Sequence, residues 1–154
     1  MAAPAISHLI GTIGFIVLIF VLPLFYTNIV ENVEADVISR ELQEIADYTS
    51  NTIENLFFLV NSTNSQNLTM TKQLVQLPAY VEDSVYMLEL VRNEPTDKGL
   101  YVRAILKNDN SVEATSWLIP GLIVSVDMTV VESTAQNVFV YCSKDEAGVS
   151  IWIK

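Results

Sequence analysis

Residues 2–30 contain no Asp, Glu, Lys or Arg, and within them Leu9 to Tyr26 form an apolar run of 18 residues. A bilayer core takes about 20 helical residues at 1.5 Å each, so this run has the length of a membrane span. It passes without a turn signal into a segment of helical period that continues to about Val60. Such a chain must place one end out of water and the rest in it. A cleavable secretory signal is the rival reading. It requires a basic n-region, a shorter apolar core and a small-residue cleavage site. The chain instead opens MAAPAISH, and Thr27, Asn28 and Ile29 follow the run. The expectation is an uncleaved anchor over residues 1–29.

Within the anchor, Ala3, Ser7 and Gly11 recur every four residues, with Gly14 close by. Small residues at that spacing allow two helices to approach closely in lipid. They are a candidate packing face, the alternative being the ordinary small-residue content of a membrane helix. Pro23 would break a helix in water but is tolerated in a membrane helix, usually as a kink. His8, the only histidine, has no second ligand near it and is expected at the membrane edge.

From Ala35 a seam with alternating three- and four-residue steps appears: Ala35, Ile38, Leu42, Ile45, Thr49, Thr52, Leu56 and Leu59. That spacing presents a narrow stripe to a partner helix. The two threonines weaken it as a coiled coil, so packing against the chain's own C-terminal part is an equal alternative. Glu34, Arg40, Glu41, Glu44, Asp47 and Glu54 are expected to keep the opposite face wet. This makes residues 30–60 an amphipathic stalk. The polar stretch NSTNSQN, residues 61–67, ends it, within a linker expected over 61–71.

Residues 72–154 change to a strand-like period. Ser84–Arg92, Leu100–Lys107, Val112–Leu118, Leu122–Glu132, Asn137–Cys142 and Val149–Ile153 are rich in β formers. Turn signals separate them, among them Pro95 with Gly99, and Pro120 with Gly121. Strands at roughly ten-residue intervals predict a small antiparallel β-sandwich-like domain. The fold class is therefore α+β, a long N-terminal transmembrane-plus-stalk helix followed by that domain. Several strands are apolar on both faces, so one face needs a cover, either the stalk helix or a neighbouring subunit.

Charge limits the partners. The chain has 18 acidic and 8 basic residues, a net charge of −10. That balance excludes the basic footprint of a nucleic-acid binder and a polybasic grip on anionic lipid. No basic residue precedes Arg40, so the positive-inside rule gives no orientation. The acidic flank after the anchor favours the outer side. So do two N-glycosylation sequons at Asn61 and Asn67.

Residues for chemistry are sparse. The five glycines form no phosphate loop, and no nucleophile has a histidine beside it. No Cys/His cluster suits zinc. Glu82 and Asp83 are adjacent and would point apart on a strand, which makes them a poor acid–base pair. Cys142 is the only cysteine and sits in an apolar strand pattern, where a buried inert thiol is expected. Neither an enzymatic activity nor a cofactor or metal is expected.

The uncharged N-terminal helix with Pro23, its amphipathic continuation and the C-terminal β-domain resemble the archaeal type IV pilin-like proteins. That group comprises pilins, archaellins and archaellum accessory proteins. The segments Leu77–Val81 (LPAYV) and Val85–Leu90 (VYMLEL), followed by short strands and a terminal hairpin, are similar to its outer domains. The resemblance implies assembly through the N-terminal helices, with the β-domains exposed. Archaeal pilins carry a charged leader, and often a Glu early in the mature helix. Here no Lys or Arg precedes Leu9 and no acid precedes Glu31, which favours a permanently anchored accessory component over a processed filament subunit.

The functional expectation is a pilin-like structural protein whose partners are the membrane and copies of itself. Packing would run through Ala3, Ser7, Gly11, Gly14 and Pro23 in the anchor and Ile38, Leu42, Ile45 and Leu56 in the stalk. The alternatives are a single-pass β-domain that binds a cell-envelope or surface-layer protein, and a small subunit of a larger membrane complex.

Overall fold

A computed structural model of the chain describes residues 3–65, 67–93, 99–124, 129–135, 137–146 and 148–154, with side chains from residue 10 onward except that of Val124. Helix α1 runs Ala3–Ser62. Eight strands follow: β1 Leu68–Gln73, β2 Tyr86–Arg92, β3 Leu100–Leu106, β4 Glu113–Trp117, β5 Leu122–Val124, β6 Val130–Glu132, β7 Phe139–Asp145 and β8 Gly148–Ile153. The chain divides into two compact units, Met1–Val37 and Ile38–Lys154. The α+β layout is as expected from the change of hydrophobic period.

The first unit is helix alone. Its side chains from Ile10 to Ile29 are exposed all round the axis, with Ile10 at 65%, Phe15 at 67% and Phe20 at 71%. Such a helix cannot use water as its medium. It is long and apolar enough to span a membrane. Pro23 lies inside it and brings no N–H, so the Ile19 carbonyl loses its helical donor.

The second unit holds two four-stranded sheets, ordered β1-β7-β8-β5 and β4-β3-β2-β6. All pairings are antiparallel except β5 with β8, which is parallel. Burial alternates along β2, β7 and β8 with the two-residue period of a strand. Tyr86, Leu88 and Leu90 therefore face inward beside Leu106, Ala104 and Val102 of β3. Val140 and Cys142 of β7 and Ile151 and Ile153 of β8 form the inner face of the other sheet. Both inner faces and the helix residues Leu42, Ile45, Ala46, Ile53, Leu56 and Val60 join one contiguous core.

Three boundaries differ from the sequence expectation. The helix reaches Ser62 and β1 starts at Leu68, so a strand occupies part of the expected 61–71 linker. β1 carries a weak signal because LTMTKQ has only two apolar residues, Leu68 and Met70. Both are half-buried, Met70 against the core, and the rest of this edge strand is exposed. The expected single strand over 122–132 is two short ones, β5 and β6, which belong to different sheets. Residues 125–128 between them lie outside the described residues, as does Pro95.

Of the two alternatives for the stalk seam, a partner helix or the chain's own C-terminal part, burial favours the second. Leu42, Ile45, Thr49, Thr52 and Leu56 are buried within their own domain, so they pack internally rather than on a partner helix, and Ile38 packs against the same core. Leu59, which the heptad placed in the seam, is 55% exposed, while Val60 is fully buried. The most buried helix positions, Leu42, Ala46, Thr49, Ile53, Leu56 and Val60, form one stripe whose spacing suits a sheet as well as a helix; it is their place in the β-domain's core that shows what they face.

Candidate assembly surfaces

Helix α1 grips the domain along a polar edge as well as an apolar stripe. The Gln43 side-chain amide donates to the Thr115 carbonyl at 3.1 Å. Ser50 Oγ and Ser116 Oγ lie 2.8 Å apart. The backbone N–H of Ile119 donates to Glu54 Oε1 at 3.2 Å. These contacts run along the free side of β4, an edge strand whose open backbone groups would otherwise invite another chain. Glu54, expected on the wet face, is thus half-buried against the sheet. Near the end of the helix, Lys144 Nζ donates to the carbonyls of Thr63 at 2.9 Å and Asn61 at 3.3 Å. A cation there satisfies terminal carbonyls and complements the helix dipole.

The remaining surface of the helix is of two kinds. Gly11 and Gly14 have open space where a Cβ would stand. Apart from the helix's own backbone, a side chain added at either would meet no atom of the described residues within 4 Å. The side chains of Ala3 and Ser7 lie outside those described. Pro23 is exposed, and Thr27 Oγ1 donates back to its carbonyl at 2.9 Å. Asn61 and Asn67 are both exposed. Asn61 sits in the last helical turn, whereas Asn67 takes a left-handed φ of 62° just before β1, a conformation asparagine tolerates.

The connection between β1 and β2 is held firmly. Tyr86, fully buried, donates its hydroxyl to the Pro78 carbonyl at 2.7 Å. Ser133 Oγ donates to the Ala79 carbonyl at 2.7 Å and accepts the Tyr86 N–H at 3.2 Å. Burial raises the Tyr86 pKa well above the usual tyrosine value. Val81 and Ser84 exchange backbone hydrogen bonds at 3.0 and 2.8 Å. The turn between them places Glu82 and Asp83 at φ 44° and 59°. The pair expected to be a poor acid–base couple is a tight turn with both residues left-handed.

Held in this way, the connection and the helix enclose an open groove of about 520 Å³. Leu77, Pro78, Tyr48 and Tyr80 form its walls, with Glu41 and Glu44 along the helix side. Neither glutamate has an ion-pair or hydrogen-bond partner among the described residues. Sequence reasoning missed this groove. The only signal was a run with apolar and aromatic character, LPAYV, lying outside any strand.

Other features are structural. Cys142 is fully buried, and burial pushes its thiol up to about 11. Arg103 ion-pairs with Glu89 across β2 and β3 and lies 3.6 Å from Glu113. Among the described residues, no group of three or more His, Cys, Asp or Glu is placed to hold a metal ion.

No protein-family model matches the chain, and neither a characterised protein nor a solved structure is significantly similar to it.

Proposed function

We propose that this chain is a pilin-like structural protein. It assembles with copies of itself through the N-terminal helix, into a cell-surface filament or the membrane-anchored accessory complex of one. One observation carries the reading: residues 10–29 expose apolar side chains on every side of a helix that continues into the β-domain's core. Such a surface needs lipid or other helices around it. The open positions at Gly11 and Gly14 leave room for a second helix at close range. Pro23 adds a carbonyl, that of Ile19, in want of a donor.

In this reading the β-domain lies outside the cell. The acidic residues after the anchor face the outer compartment, and the exposed Asn61 and Asn67 carry N-glycans. The packing of the domain is consistent with a scaffold: its core holds the helix, and Gln43, Ser50 and Glu54 tie the helix to β4 and the residues just after it.

Shearing the source cells and comparing the sheared and membrane fractions tests the proposal, with electron microscopy and N-terminal sequencing of this protein in each. Recovery in sheared filaments with helices at the centre makes it a filament subunit. Retention in the membrane as an oligomer makes it an accessory component. Retention as a monomer overturns the proposal in favour of an anchored domain that binds a cell-envelope partner such as a surface-layer protein.

A further inference from the structure

The groove beside Glu41 and Glu44 has a chemistry that the anchor does not account for. Two carboxylates stand next to two tyrosines, and neither carboxylate is paired among the described residues. Aromatic faces and carboxylates together favour a cationic group of moderate size, since both attract positive charge while the rings cover its alkyl stem. A lysine side chain fits this description.

The domain supplies such lysines at the corresponding end of its own surface. Lys144, which pairs with Leu68 at the start of β1, bonds to the helix end at Thr63. β1 therefore starts at the C-terminal end of α1. It runs back to Gln73, opposite Phe139, and leads into the groove wall at 76–80. Phe139 in turn exchanges backbone hydrogen bonds with Lys154 at 2.8 and 3.0 Å. Lys72 and Lys154 thus occupy the end of this sheet nearer the groove. Both are exposed and without an ion-pair partner among the described residues.

We infer that the groove of one copy receives Lys72 or Lys154 of a second copy, so that neighbouring β-domains are joined by a charge-complementary lateral contact. Copies anchored by the same segment leave the membrane in the same direction, and the opposite charges of groove and strand end then favour a side-by-side contact. The inference rests on the self-assembly reading and adds to it a partner surface outside the membrane. A contact of this kind selects register and orientation more than it supplies affinity.

Zero-length carbodiimide crosslinking of the full-length chain tests this. The protein is kept in its native membrane or in detergent, and isotopically light and heavy copies are mixed. The expected result is light–heavy peptide pairs that join Glu41 or Glu44 to Lys72 or Lys154. Lys72→Glu with Lys154→Glu should lower the crosslinked dimer about tenfold, and adding Glu41→Lys with Glu44→Lys should restore it. Oligomers of unchanged native mass that lack these links and ignore the charge reversals would overturn the lateral contact and leave helix-mediated assembly standing. A chain that stays monomeric at every concentration would overturn both.

Discussion

Ser50 Oγ lies 2.8 Å from Ser116 Oγ, joining helix α1 to the edge strand β4. The contact is part-buried, and Ser50 also donates to the Asp47 carbonyl at 3.1 Å. Flanked by the Gln43 and Glu54 bonds, it makes the helix the cover of that edge. Ser50→Ala should lower the domain's stability by about 1 kcal/mol, with coupling to Ser116→Ala in a double-mutant cycle. Urea unfolding followed by tryptophan fluorescence measures this, because Trp117 and Trp152 both lie in the β-domain.

The period of the buried stripe is tested by truncating neighbouring apolar positions. Ile53 and Leu56 are buried and Leu59 is 55% exposed. Ile53→Ala and Leu56→Ala should each cost about 2–4 kcal/mol through lost burial and a residual cavity. Leu59→Ala should cost under about 0.5 kcal/mol, the usual limit for a surface change. Equal losses at Leu56 and Leu59 would place Leu59 in a packed seam and contradict its exposure.

The left-handed turn at Glu82 and Asp83 holds two residues in a conformation that costs each roughly 1 kcal/mol. Asn and Gly adopt it readily. The pair Glu82→Asn and Asp83→Gly should therefore stabilise the domain by about 1 kcal/mol, read as a higher urea midpoint at unchanged slope. A lower midpoint would mean that the glutamate or aspartate side chain holds the turn in another way.

Cys142 sets a pH dependence whose sign follows from its burial. The folded thiol is raised from the ordinary 9.0 to about 11, so the folded state retains its proton where the unfolded chain has lost it. The stability this contributes is fully present below about pH 9 and is lost as pH rises towards 11. Cys142→Ala should flatten the fall in stability over that window. The folded wild-type protein should be alkylated only slowly at pH 8, where reaction waits on opening of the domain, and Cys142→Ala should abolish that reaction.

Gly11→Leu fills the open space beside the helix and should weaken self-association in detergent while leaving the β-domain's unfolding unchanged. Unchanged crosslinked oligomers in that variant would remove Gly11 from the packing face. In a separate measurement, an intact mass of the native protein equal to the bare polypeptide would exclude glycans at Asn61 and Asn67.

The long apolar helix and most strands were legible because each rests on a local pattern. An uncharged run of 18 residues and a two-residue alternation such as that of β8 need no knowledge of distant residues. β1 was illegible because four of its six residues are polar and the strand gains its structure from pairing with β7, from Leu68↔Lys144 to Gln73↔Phe139. The split of 122–132 was hidden for the same reason, since strand membership in one sheet or the other depends on β8 and β2.

By itself the sequence determined that this chain has one end suited to lipid and a β-rich remainder suited to water, because hydropathy and its period are properties of each segment alone. Only the tertiary structure decided what the amphipathic helix faces. A stripe from Ile38 to Val60 serves a partner helix or a sheet equally well on paper, and the two differ by a fraction of a residue per turn. Packing resolved it: Leu42, Ile53 and Val60 are each fully buried in the β-domain's core, while the apolar residues from Ile10 to Ile29 stay exposed on every side. The groove beside Glu41 and Glu44 likewise exists only because Tyr86 and Ser133 fix a connection from elsewhere in the chain.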